Sequence, residues 1–289
     1  MGQSSGLFLF DECELENTQN NAAGRLVETV GAGHAATVFR NCKFNHTGGS
    51  GGAIHFTSDY PRGVYFYNCH GVIQELVEWP MGRGSIVVEN CRFRRSSVGG
   101  EFINVTGRNN TAITIEHSTL SGYEKIIYCN ADTYDFGDGA QRLRIRNNIV
   151  DRYQRLLQTN PALGNEDYSE LFITQFDHSY NLYCNKDGAN DLFTFGSQSY
   201  ADIAALQEGG YDTGSSDGND PDFAGTDISN DDFLKIGSSS DAINFSRQCG
   251  IRDDFDGTAR NNWIVDAGAH QRTATAYDVP DRENVLDDD

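Results

Sequence analysis

The 289-residue chain has few of the residues that mark several common protein classes. Its five prolines exclude a collagen-like repeat. Its seven cysteines include no Cys-x-x-Cys pair, and their spacing does not fit a zinc site. Its longest apolar runs are only a few residues, so no segment is predicted to insert into a membrane. The opening residues MGQSSGLFLF lack a basic stretch followed by a long apolar one, so they do not resemble an export signal.

Positive charge is scarce and unevenly placed. The formal net charge is −20 at pH 7, and lysine occurs only at Lys43, Lys125, Lys186 and Lys235. Residues 1–82, 83–160 and 161–289 carry net charges of −4, +3 and −19. So acidic a chain is not expected to bind nucleic acid over its whole surface. Residues 83–160 are the exception to this acidity, because their net charge is positive.

A short phrase recurs through the first 180 residues. It consists of an apolar residue, two polar ones and then a small or amide residue, usually with another apolar residue two positions further on. The seven phrases occupy residues 10–15, 39–44, 66–71, 88–93, 115–120, 145–150 and 176–181. Their spacing of 22 to 31 residues suits one circuit of a solenoid.

The composition of each repeat indicates strands. Val, Ile, Phe and Thr cluster in short runs broken by Gly, Asn and Asp, whereas helical repeats would show apolar residues three and four apart. The sequence therefore predicts an all-β, single-stranded, right-handed parallel β-helix with circuits about 4.8 Å apart. We predict circuits over 1–185, a loop-rich closing segment with one short helix over 186–275, and a flexible acidic tail over 276–289.

Stacking would bring equivalent positions of the phrases into columns. The fourth positions are Cys13, Cys42, Cys69, Cys91, Ser118, Asn148 and Ser179. We predict an internal ladder with free buried thiols, although the rung spacing would also permit disulfides. The third positions are Glu12, Asn41, Asn68, Asn90, His117, Asn147 and His178, which we interpret as turn residues.

Arginines of the middle circuits form a first candidate binding surface. Arg142, Arg144 and Arg146 alternate with apolar residues, so they should share the outer face of one strand, and Arg94 alternates with Arg92 in the same way. Guanidinium groups in a row can hold the carboxylates or sulfates of an anionic polysaccharide. The alternative is a solvated face neutralised by Glu89 and Glu116.

A second strand in each circuit forms another candidate surface. Four triplets each have a polar residue in the middle position of a short predicted strand. They are residues 54–56, 103–105, 127–129 and 157–159. Aligned, their middle residues are His55, Asn104, Tyr128 and Gln158. This column has the donors of a sugar-binding groove and one group that titrates near neutral pH. It can equally be ordinary surface polarity.

The C-terminal third resembles a known group. Its ordered segments are SYADIAALQEGGYDTGS, DPDF, DDFLKIGSSSDAI, DFDGTAR and DAGAHQ. They are similar to the closing segment of secreted bacterial right-handed parallel β-helix proteins of the pectate-lyase-like superfamily. Asp241 and Gln271 stand where that group usually has proline and an acidic residue. Ser199 and Asp202 also suggest a capping box before a short helix that ends at Gly209.

A middle strand resembles one enzyme family. Residues 101–106, EFINVT, are similar to the metal-binding strand of the chondroitinase B and alginate lyase family, and this similarity implies a calcium-ligand role for Glu101. The family's catalytic lysine and arginine correspond to Thr106 and Tyr128 here. The resemblance therefore implies a related scaffold more than the same mechanism.

Two acidic loops allow a calcium interpretation. These are DGND at 217–220 and DFDG at 254–257, and calcium prefers oxygen ligands from such loops. Neither reproduces a known calcium motif, and a simple turn is the other interpretation of DFDG.

Together these patterns predict an extracellular or cell-surface protein that binds a polysaccharide, with lyase activity on an anionic glycan as one form of that function. Tyr128 or His55 would then move protons. The alternative is a non-catalytic adhesive or phage-fibre module. Because solenoid ends need covering, an upstream domain or partner chain at the N-terminal end is a further expectation.

Overall fold

The computed structural model describes residues 6–18, 24–29, 36–48, 51–57, 63–79, 83–106, 110–130, 143–159, 176–195, 198–247, 251, 253–260 and 264–271. Its strands follow one another around a solenoid, so strands of successive circuits lie side by side. The first sheet contains β1 (Leu7–Asp11), β4 (Ala36–Arg40), β7 (Gly63–Tyr67), β10 (Arg83–Glu89), β12 (Asn110–Glu116), β14 (Leu143–Arg146) and β17 (Phe176–Ser179).

The second strand of each circuit builds a second sheet. It contains β2 (Glu14–Asn17), β5 (Lys43–His46), β8 (His70–Ile73), β11 (Arg92–Thr106), β13 (Thr119–Asn130), β15 (Ile149–Asp151), β18 (Leu182–Cys184) and β21 (Ser216–Gly218).

A third row of strands continues from the second sheet because β11 and β13 are long enough to belong to both. The row also contains β3 (Val27–Thr29), β6 (Ile54–Phe56), β9 (Val77–Trp79), β16 (Arg155–Thr159) and β19 (Phe193–Phe195), with β20 (Gln198–Tyr200) antiparallel at its end. The remaining elements are helix α1 (Ile203–Glu208) and the short antiparallel pair β22 (Ser246–Arg247) and β23 (Ile264–Val265).

Apart from β20, pairing within each row is parallel, with one register shift between Arg94 and Gly99 of β11. In the first sheet Phe10 lies opposite Phe39, and Phe39 lies opposite Phe66. The rings stack at centroid distances of 4.8 and 5.2 Å, which matches the rise between strands. The prediction of a parallel β-helix with one short helix is therefore confirmed.

Backbone geometry at the corner confirms the turn column for six of its seven predicted members. Glu12, Asn41, Asn68, Asn90, His117 and Asn147 all have φ between 45 and 58°. This left-handed conformation bends the chain between the first and second sheets, and asparagine tolerates it better than most residues.

The prediction for the seventh circuit was wrong by two residues. Ile145 pairs with His178, and Arg146 pairs with Ser179, so Tyr180 is the left-handed residue, with φ of 52°. His178 therefore occupies the apolar position of the phrase and is buried. Because Phe176 fits the apolar position of the phrase better than His178 does, the sequence pattern favoured the wrong register.

The fourth positions form a hydrogen-bonded ladder inside the corner. Cys42 Sγ contacts the Phe10 carbonyl at 3.4 Å, and Ser118 Oγ contacts that of Val88 at 3.4 Å. Asn148 Nδ2 donates to Ile115 O at 2.8 Å, and Asn181 Nδ2 donates to Ile145 O at 2.8 Å. Asn181 thus replaces the predicted Ser179. Each rung side chain satisfies a backbone group of the circuit before it.

The cysteines that the structure describes are free thiols, as predicted. They are Cys13, Cys42, Cys69, Cys91, Cys129 and Cys184. Burial is the main cause that raises the pKa of Cys69 well above its ordinary value and that of Cys184 to about 12. These thiols are therefore core groups at neutral pH, since the thiolate is the reactive form.

Helix α1 is present where the sequence predicted it, but its cap differs. Asp202, and not Ser199, is the N-cap residue, because its Oδ1 accepts from Ala205 N at 2.9 Å. Gly209 ends the helix. No helix among the described residues is long and apolar enough to cross a membrane.

The closing segment is attached to the corner of the solenoid by Arg260. This side chain is 1% exposed, and it donates to Asn90 Oδ1 at 3.2 Å and Gly268 O at 2.9 Å, with His117 Nδ1 2.9 Å away. A second apolar cluster, made by Ile149, Leu182, Cys184, Ile236, Ala242 and Ala267, covers the outer side of the second sheet.

Candidate functional site

The third row of strands aligns the predicted polar column. Asn104 pairs with Tyr128, and Tyr128 pairs with Gln158. His55 belongs to the same column, but Glu78 lies between it and Asn104. The column extends to Glu28 before His55 and to Thr194 after Gln158. The alignment is confirmed, and the sequence reasoning missed Glu78, although Val77 and Trp79 flank it in the same pattern.

The column faces away from the core. Residues on either side of its members, such as Ile103 with Val105 and Ile127 with Cys129, belong to the main apolar cluster. Alternation along a strand therefore turns the middle residue outward. Asn104, Tyr128 and Gln158 are partly exposed, whereas His55 is 6% exposed.

A second column of charged residues lies three positions earlier on the same strands. Glu101 pairs with Lys125, and Lys125 pairs with Arg155. Glu75 belongs to the preceding circuit, because Val77 pairs with Ile103 and so places Glu75 opposite Glu101. We call the residues of the two columns that lie nearest one another the carboxylate site. Its members are His55, Glu75, Glu78, Glu101, Asn104, Lys125 and Tyr128.

Glu75 has the most perturbed electrostatic environment of this site. It is 8% exposed, and burial followed by the charges of Glu78 and Glu101 raises its pKa to about 8. A side-chain hydrogen bond with Asn104 opposes the rise. Among the described residues, Glu75 Oε1 and Asn104 Oδ1 have no hydrogen-bond partner in the structure. Glu75 is therefore predominantly a neutral carboxylic acid at pH 7.

The other two carboxylates of the site have cationic or ionisable neighbours. Glu78 Oε2 lies 2.9 Å from His55 Nδ1 and accepts from Gly52 N at 3.3 Å. Glu101 Oε1 accepts from Lys125 Nζ at 2.8 Å. The same ammonium lies 4.9 Å from the ring centroid of Tyr128. The family resemblance implies that Glu101 is a calcium ligand. In the structure its carboxylate instead accepts a hydrogen bond from Lys125. The sequence did not indicate Lys125 as a site residue, because only the pairing of β11 with β13 brings it beside Glu101.

The predicted arginine strip lies on a different sheet, and acidic residues surround it. Arg146 Nη2 lies 2.6 Å from Glu116 Oε1, and Arg144 Nε lies 3.5 Å from Asp177 Oδ2. Arg142 lies outside the described residues. Arg94 belongs to the second sheet and donates to the Thr226 carbonyl of the closing segment. These arginines do not join the carboxylate site.

The DFDG loop forms a turn. Asp254 Oδ1 accepts from Asp256 N at 2.9 Å and Thr258 N at 2.6 Å, and its Oδ2 accepts from Gln271 N at 2.7 Å. Asp254, Asp256 and His270 bring possible ligand atoms within 4.8 Å of one another. Asp256, however, also lies 3.2 Å from Lys235 Nζ, a cation that already neutralises the loop. In the DGND loop, Asn219 N donates to Asp241 Oδ2 at 3.0 Å.

A buried histidine connects the last regular circuit to the closing segment. His178 Nδ1 lies 2.6 Å from Asp212 Oδ1, and its Nε2 lies 2.6 Å from the hydroxyl of Tyr183. Burial raises the pKa of Asp212, but hydrogen bonds from His178, Ser215 and Gln207 outweigh it, so the net pKa is lowered. The side chains of His178 and Asp212 are fully buried, so we assign this set a structural role.

Comparison with protein-family models, with curated proteins and with solved structures found no match to this chain.

Proposed function

We propose that this protein binds an anionic polysaccharide along the polar column of the third strand row, and that the carboxylate site cleaves it by a lyase reaction. The observation that carries the proposal is the register, which brings His55, Asn104 and Tyr128 into one column beside Glu101 and Lys125. The similarity to secreted pectate-lyase-like β-helix proteins supports the same class of function and an extracellular or cell-surface location.

The shape of the column suits an extended ligand. Successive strands lie about 4.8 Å apart, so four or more neighbouring rungs present donors over a length of several sugar units. Asn104, Tyr128 and Gln158 provide amide and hydroxyl groups in consecutive circuits. Such groups bind sugar hydroxyls and carboxylates.

Charge at the site repels an anionic substrate least while Glu75 stays neutral, because Glu78 and Glu101 then act without a third carboxylate. With Glu75 protonated, Lys125 and the amide of Asn104 can approach a uronate carboxylate, and one fewer negative charge repels it. Asn104 is held in place by its hydrogen bond with Glu75, which we regard as a positioning residue because its own carboxyl is buried.

The reaction would be a β-elimination. The base takes the proton on the carbon next to the uronate carboxylate, the electron pair forms a carbon–carbon double bond, and the glycosidic C–O bond breaks as the leaving oxygen receives a proton. Tyr128 fits the proton-transfer role because it lies beside Lys125 and pairs with Asn104 across the rungs. Lys125 and Asn104 would stabilise the charge that develops on the carboxylate.

A second candidate is a non-catalytic structural or adhesive module. It is favoured by the outer edge of the first sheet, where Leu7, Phe8 and Leu9 are all more than half exposed. An apolar edge strand of this kind suits contact with another protein surface, as a partner chain or neighbouring domain would provide.

A panel of anionic polysaccharides separates these candidates. We expect at least one uronate-containing polymer to yield products with the ultraviolet absorbance of an unsaturated uronate. Tyr128→Phe should abolish product formation while leaving binding within a few-fold of wild type. Tyr65→Phe, on the first sheet, is the matched control and should stay active. If no polymer yields product but binding to one is retained, the lyase reaction is wrong and the non-catalytic module is favoured.

A further inference from the structure

A second cluster of charge lies between the second sheet and the closing segment, away from the carboxylate site. Register places Glu14, Lys43, His70 and Arg92 in one column on the outer side of the second sheet. The same column continues as Thr119, Ile149 and Leu182. The closing segment packs on the apolar end, since Ile149 and Leu182 belong to its cluster.

A cleft of about 500 Å³ remains where the closing segment reaches the charged end of the column. Lys43, His70 and Arg92 form one wall, and Phe233, Lys235 and Phe255 are among the residues of the other. Its volume is enough for a monosaccharide or another small organic molecule.

Arg92 is the unusual group in this cleft. It is 3% exposed, and its guanidinium carbon lies 3.7 Å from the ring centroid of Phe255. Its Nη2 lies 3.8 Å from Asp256 Oδ1, which is too long for a good hydrogen bond. Within the part of the chain that the structure describes, its Nε and Nη1 have no hydrogen-bond partner, and neither does Nδ1 of His70.

A buried charged donor without an acceptor is costly. An acceptor supplied by a ligand in the cleft would remove this cost for Arg92. Asp256 does not fill this role, because it also neutralises Lys235 at 3.2 Å. Asp231 is the other carboxylate of the wall, and Lys43 Nζ is paired with Glu14 Oε1 at 2.9 Å, which leaves the donors of Arg92 as those that a ligand would satisfy. Burial, with help from Arg92 and Lys43, lowers the pKa of His70 to about 4, which leaves that ring neutral at pH 7.

We propose that this cleft is a binding site for an oxyanion, the carboxylate of a sugar acid or the sulfate group of a sulfated sugar. The oxyanion would accept from Arg92, with Lys43 and Lys235 neutralising its charge from the two walls. The aromatic rings of Phe233 and Phe255 would border the apolar face of the attached ring. This site is independent of the carboxylate site and requires no catalysis.

Isothermal titration calorimetry on the full chain tests the proposal with glucuronate, glucose 6-sulfate and neutral glucose. We expect saturable binding of at least one of the two anions and none of glucose. Binding of glucuronate alone, of the sulfate alone or of both identifies which oxyanion the site takes. Failure of both anions to bind at millimolar concentrations would overturn the proposal.

Two variants locate the binding in the cleft. Arg92→Met keeps the length and apolar packing of the side chain, and it should weaken binding at least tenfold, since it removes the charge-assisted hydrogen bonds to the oxyanion. Lys43→Gln should weaken binding several-fold. Arg40→Gln removes an exposed cation paired with Asp11 outside the cleft, and it should leave binding unchanged.

Circular dichroism and thermal unfolding establish that each variant is folded. If Arg92→Met does not fold, Lys43→Gln and Lys235→Gln carry the test, and wild-type affinity in both would overturn the site. Glu75→Gln should keep the oxyanion affinity of wild type. The cleft and the proposed lyase reaction can therefore fail separately.

Discussion

The corner of the solenoid and the carboxylate site use polar residues in opposite ways. At the corner, Asn148 and Asn181 satisfy backbone groups of the neighbouring circuit, and Arg260 donates to four partners. At the carboxylate site, Glu75 is buried beside two further glutamates, and its Oε1 is among the orphaned atoms of the described residues. The first arrangement stabilises the fold, whereas the second reduces stability.

This difference indicates where the chain has kept residues for a purpose other than folding. Buried polar groups are normally hydrogen-bonded, so an exception calls for an explanation. Stability is commonly lower at sites that bind or react, because such groups are arranged for a ligand. Glu75 and Arg92 are two such exceptions in the described part of the chain.

The largest loss of stability should come from the corner. Arg260→Ala leaves His117, Asn90 and two backbone carbonyls without their buried donor, so the free energy of unfolding should fall by about 3–5 kcal/mol. Urea denaturation measures this change, and limited proteolysis should show cleavage in the closing segment. Arg40→Ala, on an exposed ion pair, is the control with an expected loss of less than about 1 kcal/mol. Equal losses in the two variants would contradict the role of Arg260.

An effect of similar size and opposite sign should come from Glu75→Gln. Because the pKa of Glu75 is raised from 4.5 to about 8, the folded protein holds a proton that the unfolded chain releases. The stability that this proton contributes is complete below about pH 4.5 and is lost as the pH rises through about 8. The variant cannot ionise, so above pH 8 it should be more stable than wild type by roughly 3–5 kcal/mol.

Denaturation curves across this pH range check the prediction for Glu75. Glu16→Gln, an exposed glutamate of β2, is the control and should follow the wild-type pH dependence. Binding of an anionic polysaccharide to wild type should weaken over the same pH interval, because the site gains a negative charge. A wild-type stability that is as flat as that of Glu75→Gln would show that Glu75 ionises normally.

The smallest effect should come from the arginine strip. Arg144 is about one third exposed and shares Glu116 and Asp177 with Arg146, so Arg144→Gln should lower the free energy of unfolding by less than about 1 kcal/mol. Polysaccharide affinity should change less than twofold, as measured by calorimetry. A loss of tenfold or more would move the binding surface to the first sheet and favour the original interpretation of these arginines.

The parts of the fold that could be predicted from the sequence depend on local pattern. A left-handed residue before each small rung residue recurs because every circuit must turn the same corner, and asparagine is suited to that turn. The middle-residue column could be aligned for the same reason, since alternation along a strand is strict. The seventh circuit was misaligned because His178 replaces an apolar residue, so composition pointed to the wrong register.

The candidate site was only partly predictable because its members come from different circuits. His55, Asn104, Tyr128 and Glu101 were recognised as strand residues, but nothing near Lys125 in the sequence indicates Glu101 as its partner. Glu75 carries no motif either. Its raised pKa arises from burial and from charges that belong to other rungs.

The sequence by itself determined the repeating circuit, the conformation of the corner and the alternation of inward and outward residues, because these follow from local backbone preferences and hydrophobic period. Only the tertiary structure decided which charges meet. Stacking brings Glu101 against Lys125, and the closing segment brings Phe255 over Arg92 from more than 160 residues away. Electrostatic interactions depend on distance in space, which a chain acquires only when it folds.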